Sequence, residues 1–82
     1  MYQDFPYNNP APMHRQRITM QQAQEIALQS VPGRVIHVDM DLENGVLVYE
    51  VFIMTAQGMI FEVEILAKNG KVIKIDQEND DD

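Results

Sequence analysis

Residues 34–76 read RVIHVDMDLENGVLVYEVFIMTAQGMIFEVEILAKNGKVIKID, and this stretch decides the fold. Four runs in it alternate apolar and polar side chains: Ile36/Val38/Met40, Tyr49/Val51/Ile53, Phe61/Val63/Ile65 and Ile73/Ile75. A period of two puts each set on one face of a strand. Between the runs stand Glu43-Asn44-Gly45, Ala56-Gln57-Gly58 and Lys68-Asn69-Gly70. Asn and Gly tolerate the positive φ of tight hairpin turns, so these segments predict three successive hairpins. The predicted strands are 34–42, 46–55, 59–67 and 71–76.

Turn lengths then predict the register. A two-residue Asn44-Gly45 turn pairs Met40 with Tyr49, Val38 with Val51 and Ile36 with Ile53. A three-residue Ala56–Gly58 loop, with Gly58 left-handed, pairs Ile53 with Phe61, Val51 with Val63 and Tyr49 with Ile65. A three-residue Lys68–Gly70 loop pairs Ile65 with Ile73, Val63 with Ile75 and Glu64 with Lys74. A slip of one residue would throw both isoleucines to the wrong face. All four apolar sets are therefore expected on one face, covered by a helix.

That helix is expected to start at Thr19. Thr19-x-x-Gln22 has capping-box form, and Ile18 sits where a hydrophobic staple would place it. Ala23, Ile26, Ala27 and Ser30 form a narrow stripe whose small alanines allow close approach to a sheet. Val31-Pro32-Gly33 should end the helix, because Pro disfavours αR in the residue before it. The fold class is thus α+β, with one N-terminal helix on a four-stranded antiparallel meander. Residues 1–17 hold three of the four prolines and read as a disordered or loosely docked arm, whose Tyr2, Phe5 and Tyr7 offer docking points. Residues 77–82 read as an acidic tail.

The opposite sheet face is expected to carry Asp39, Glu50, Glu64 and Lys74 in one cross-strand row. Beside it fall Glu62 and the apolar Phe52, Met54 and Ile60. Like charges directly opposite are unfavourable, and large apolar groups on a solvent face mark interfaces. Glu50, Phe52, Met54, Ile60, Glu62 and Glu64 are therefore the candidate partner-binding face. A basic partner or a bound cation would relieve the row.

The chain of 82 residues has a net charge of −7, with +1 in residues 1–17 and −8 in the remainder. An acidic domain repels phosphate backbones, so no nucleic-acid partner is expected. It has no cysteine, hence neither disulfides nor thiolate metal sites. No apolar run approaches the ~20 residues of a membrane span, and no basic-then-apolar leader pattern is present. His14 and His37 lack second ligands at useful spacing, and no nucleophile–base pair is visible. Asp39-x-Asp41-x-Glu43-Asn44-Gly45 echoes a calcium loop, but its Gly is one place late and strands flank it. No catalytic, cofactor or metal residue is assigned.

Several segments in order match one family. They are Ile18-Thr19-x-x-x-Ala23-x-x-Ile26-Ala27, Val31-Pro32-Gly33, Asn44-Gly45, Tyr49-Glu50-Val51-x-Ile53, Phe61-Glu62-Val63 and Ala67-Lys68-Asn69-Gly70-Lys71-Val72. Over residues 18–76 the chain resembles the PepSY domain family. The resemblance implies a helix on an antiparallel sheet, and a non-enzymatic module that binds a protein partner and modulates or inhibits peptidases. It also implies an extracytoplasmic or envelope setting, while the lack of a leader or anchor pattern leaves the cytoplasm open. Two alternatives stand beside it: a homodimerisation module using the open sheet face, and a divalent-cation sensor.

Overall fold

The structure is a computed structural model and describes residues 17–78. Expectations for the arm before Arg17 and for residues 79–82 lie outside the described residues. One helix, α1 (Met20–Ser30), precedes four strands: β1 (Arg34–Glu43), β2 (Val46–Met54), β3 (Ile60–Leu66) and β4 (Val72–Glu78). The strands form one antiparallel sheet in the order β1-β2-β3-β4, the expected meander.

Helix α1 starts as the sequence indicates. Thr19 Oγ1 accepts from the Gln22 N–H at 3.0 Å, and Gln22 Oε1 accepts from the Thr19 N–H at 2.8 Å. This capping box satisfies two donors that the first turn would leave orphaned. Thr19→Ala should therefore lower the unfolding free energy by about 1 kcal/mol, read as a shifted urea midpoint with an unchanged slope. Ala23 and Ala27 are fully buried against the sheet, and Ile26 and Ile18 pack at the margin.

The core seam runs along the two central strands. Tyr49, Val51 and Ile53 of β2 and Val63 and Ile65 of β3 are buried with Val31, Ala67 and the two alanines. The Tyr49 hydroxyl donates to the Ile18 carbonyl at 2.9 Å, fastening the chain before α1 to the sheet.

The helix does not cover all four apolar sets. It lies against β1, β2 and β3, while Ile36, Met40, Ile73 and Ile75 are 41–48% exposed. A helix about 10 Å wide spans roughly two strand spacings of ~4.8 Å, so the edge strands extend past it.

Register in the central hairpin is as expected throughout, and Asn44 (φ 52°) with Gly45 (φ 80°) makes the tight β1–β2 turn. Each edge strand departs at one residue. Ile53 pairs with Val35 and not Ile36, and Ile65 pairs with Val72 and not Ile73, so Ile36 and Ile73 sit at bulges. The second departure has a visible cause. The Ala67 N–H donates to Leu47 O at 3.1 Å and its carbonyl accepts from the Ile18 N–H at 2.8 Å. With the Lys71 N–H taken by Asn69 Oδ1 at 2.9 Å, Ala67 and Lys71 cannot pair. The loop therefore gains a residue, Leu66 bonds Lys71 instead, and the bulge at Ile73 restores the register by Lys74.

Candidate interaction face

Alternation along β2 and β3 turns Glu50, Phe52, Met54, Ile60, Glu62 and Glu64 away from α1. The register places Glu50 opposite Glu64, Phe52 opposite Glu62 and Met54 opposite Ile60. On the edges, Asp39 lies opposite Glu50, Lys74 opposite Glu64 and Asp76 opposite Glu62. All six residues singled out from the sequence thus meet in three adjacent cross-strand pairs.

Burial is deeper here than alternation suggests. Glu64 is only 5% exposed, Val48 on the same face 1%, and the other five candidates are half-buried. Both buried residues occupy central strands, where neighbours crowd from either side. Among the described residues the nearest positive charge to Glu64 is Lys74 Nζ, 3.7 Å from Oε2, which is also 3.5 Å from Asp76 Oδ2. At 3.7 Å the Glu64 contact is an ion pair without a hydrogen bond.

The shortage of positive charge shows in the carboxyl groups. Burial, then hydrogen bonding with Glu64 and the charges of Glu50 and Glu64, push Glu62 up to about 7, against a partial offset from Lys74. Burial also raises Glu50, helped by hydrogen bonding with Glu43 and by the charges of Asp41, Glu43 and Glu64. Glu64, Asp76 and Glu62 in turn hold Lys74 above the usual lysine range. Carboxylate oxygens of Glu50, Glu62 and Glu64 lie within 4.8 Å of one another, as do those of Asp41, Glu43 and Glu50. Glu62 thus holds a proton near neutrality, because Lys74 offsets its acidic neighbours only in part.

His37 flanks this face. Its Nε2 lies 2.8 Å from Asp39 Oδ2, and its ring tilts against Phe52 with centroids 5.7 Å apart. The segment that echoes a calcium loop is the β1–β2 hairpin: Asp39 and Glu50 face each other across antiparallel strands, so the helix–loop–helix frame is missing.

Sequence reasoning missed a second apolar surface. On the helix side, Val31, Pro32, Met59, Phe61 and Ile75 line a groove of about 590 Å³ between the end of α1 and the β3–β4 edge. Its signal was the width mismatch between one helix and four strands.

The PepSY family model, described as peptidase propeptide and YPEB domain, matches residues 17–76. Among curated proteins, the chain is 45% identical over 64 residues to a relative named Uncharacterized protein YkoJ from Bacillus subtilis (strain 168). That match covers 78% of this chain and 36% of the relative, so the chain spans about a third of its length. No solved structure matches the chain significantly.

Proposed function

We propose, since the chain belongs to the PepSY family, that it works by binding and not by catalysis, as a small domain that engages a protein partner and modulates a peptidase. The partner rests on the open sheet face, on Glu50, Phe52, Met54, Ile60, Glu62 and Glu64. One observation carries this reading: the face opposite the helix sets a carboxylate cluster, only partly compensated by Lys74, directly beside an apolar row. Interfaces combine such an apolar centre with charged groups that select the partner. The family's peptidase-propeptide description and its common extracytoplasmic setting support a peptidase or an envelope protein as partner. Among the described residues no helix is long and apolar enough to cross a membrane. A face-to-face homodimer would stack one acidic row on another, so a different protein fits the face better.

Capture from an extract of the source organism tests this. Immobilised wild-type chain should retain a specific protein, and Phe52→Asp or Glu50→Lys should reduce recovery about tenfold or more, the effect of losing over ~1.4 kcal/mol at an interface centre. The thermal midpoint of Glu50→Lys should stay close to wild type, whereas Phe52→Asp sets a carboxylate opposite Glu62 and lowers it. Identical recovery by wild type and both variants would place the interface elsewhere.

A further inference from the structure

The open face, if it is the interface, also specifies what the partner must bring. We propose that the occupant is an extended segment of a partner protein that places an arginine among Glu50, Glu62 and Glu64 and a large apolar side chain, two residues along, on Met54 and Ile60.

Four observations support this assignment, which rests on the interface reading above. First, the Glu64 side chain keeps only 6% of its exposure, and among the described residues the one cation near it, Lys74, is beyond hydrogen-bond distance. A buried carboxylate held only by a shared lysine and by the Glu62 proton is under-compensated, and a cationic donor from outside offsets that cost more fully. Second, three carboxylates with oxygens within 4.8 Å of one another suit a planar guanidinium, whose N–H groups fork toward several oxygens at once. Third, Phe52 lies opposite Glu62, its ring tilted against His37, and a guanidinium stacks on an aromatic ring better than an ammonium does. Fourth, the Met54–Ile60 pair is the next same-face row along the sheet. Same-face residues on an extended strand are about 6.8 Å apart, which sets the two-residue spacing. A bare divalent cation would answer the carboxylates but leave this apolar row uncovered.

Proton linkage gives the complex a signature. The groups facing Glu62 are Glu64 on its own strand, Glu50 from β2, and Lys74 and Asp76 from β4; α1 packs on the other face. Entry of a guanidinium displaces the proton that Glu62 holds with its midpoint at about 7. Affinity therefore rises by about tenfold between pH 6 and pH 8 as that proton leaves the free protein.

The test uses the isotopically labelled full chain and two capped Gly/Ser peptides, followed by NMR of the side-chain carboxyl carbons. One peptide carries Arg with Leu two residues on; the other has Glu in place of Arg. At millimolar concentration the Arg peptide should shift the carboxyls of Glu50, Glu62 and Glu64 and the Phe52 ring. Binding should tighten about tenfold from pH 6 to pH 8, and the Glu peptide should leave these signals unmoved. Equal response to both peptides, no response to either, or shifts confined to Phe61 and Ile75 would overturn the assignment. Two further results would overturn it: calcium chloride moving the same carboxyls and blocking the peptide, or shifts that follow protein concentration alone. The first assigns the face to a metal ion and the second to another copy of the chain. None of these outcomes depends on partner capture, so the arginine assignment and the interface reading can fail separately.

Discussion

Gly33→Ala is expected to cost the domain about 2–3 kcal/mol, enough to leave much of so small a protein unfolded at room temperature. Gly33 follows Pro32 at the end of α1 and feeds the chain straight into β1. A Cβ there would stand 2.4 Å from the Met54 carbonyl oxygen and 2.8 Å from Ile53 Cγ2. The first of these atoms is backbone in a paired strand and cannot swing aside. Relief requires moving β1 away from β2, which would open the seam at Val35 and Ile53. Gly45→Ala provides the comparison. Its Cβ would meet nothing within 4 Å, but the position holds φ +80°. Its cost is the left-handed penalty alone, about 1 kcal/mol. Urea denaturation of the two variants should rank Gly33→Ala clearly below Gly45→Ala; equal midpoints would show that β1 yields to the methyl group.

Stability should fall by about 2 kcal/mol as pH rises from about 4.5 to about 7, an unusual direction for an acidic protein. Glu62 titrates at about 7 in the folded chain, against an ordinary carboxyl value of 4.5. Between these values the folded state binds more protons than the unfolded chain, so each step up in pH favours unfolding. Above about 7 both states have lost that proton and the contribution is level. Glu50 is raised as well and acts in the same sense. The figure is reduced from the full shift because Glu62 is half-buried and water screens its neighbours. Glu62→Gln removes that titration and leaves only the Glu50 contribution, so its stability should fall less than wild type over the window and exceed wild type at pH 8. A wild-type protein whose urea midpoint is constant from pH 4.5 to 7 would contradict this.

How legible the fold was depended on what each signal measures. Alternation reports which residues face the core, and in the central β2–β3 hairpin it yielded every pairing from Tyr49–Ile65 to Ile53–Phe61. It cannot detect a bulge that substitutes one apolar residue for another. Val35 replaces Ile36 opposite Ile53, and Val72 replaces Ile73 opposite Ile65, with the same hydrophobic character. The cause of the second lies in tertiary hydrogen bonds, from the Ala67 N–H to Leu47 and from the Ile18 N–H to Ala67, partners remote in sequence from the strand that bulges. Local capping was fully readable, since Thr19 and Gln22 are three residues apart and need no other partner.

The candidate face was legible as a set of residues but not as an environment. Pairing alone brought Glu50, Glu62 and Glu64 together with Phe52, Met54 and Ile60. Periodicity assigns the face opposite the helix to solvent, whereas Glu64 is buried and Glu62 retains a proton near neutrality. That difference arises from crowding in the middle of a four-stranded sheet, which no single strand's pattern records. It turns a surface charge row into a site short of positive charge, and this shortage is the ground for the proposed interface and its proposed preference for a basic partner.

The most direct test is a pH titration of the Glu62 side-chain carboxyl carbon by NMR in the free wild-type protein. A midpoint at about 7 is expected. A midpoint near the ordinary 4.5 would show that the face already has its counter-charge, and would contradict the claim that it is built to receive a cation.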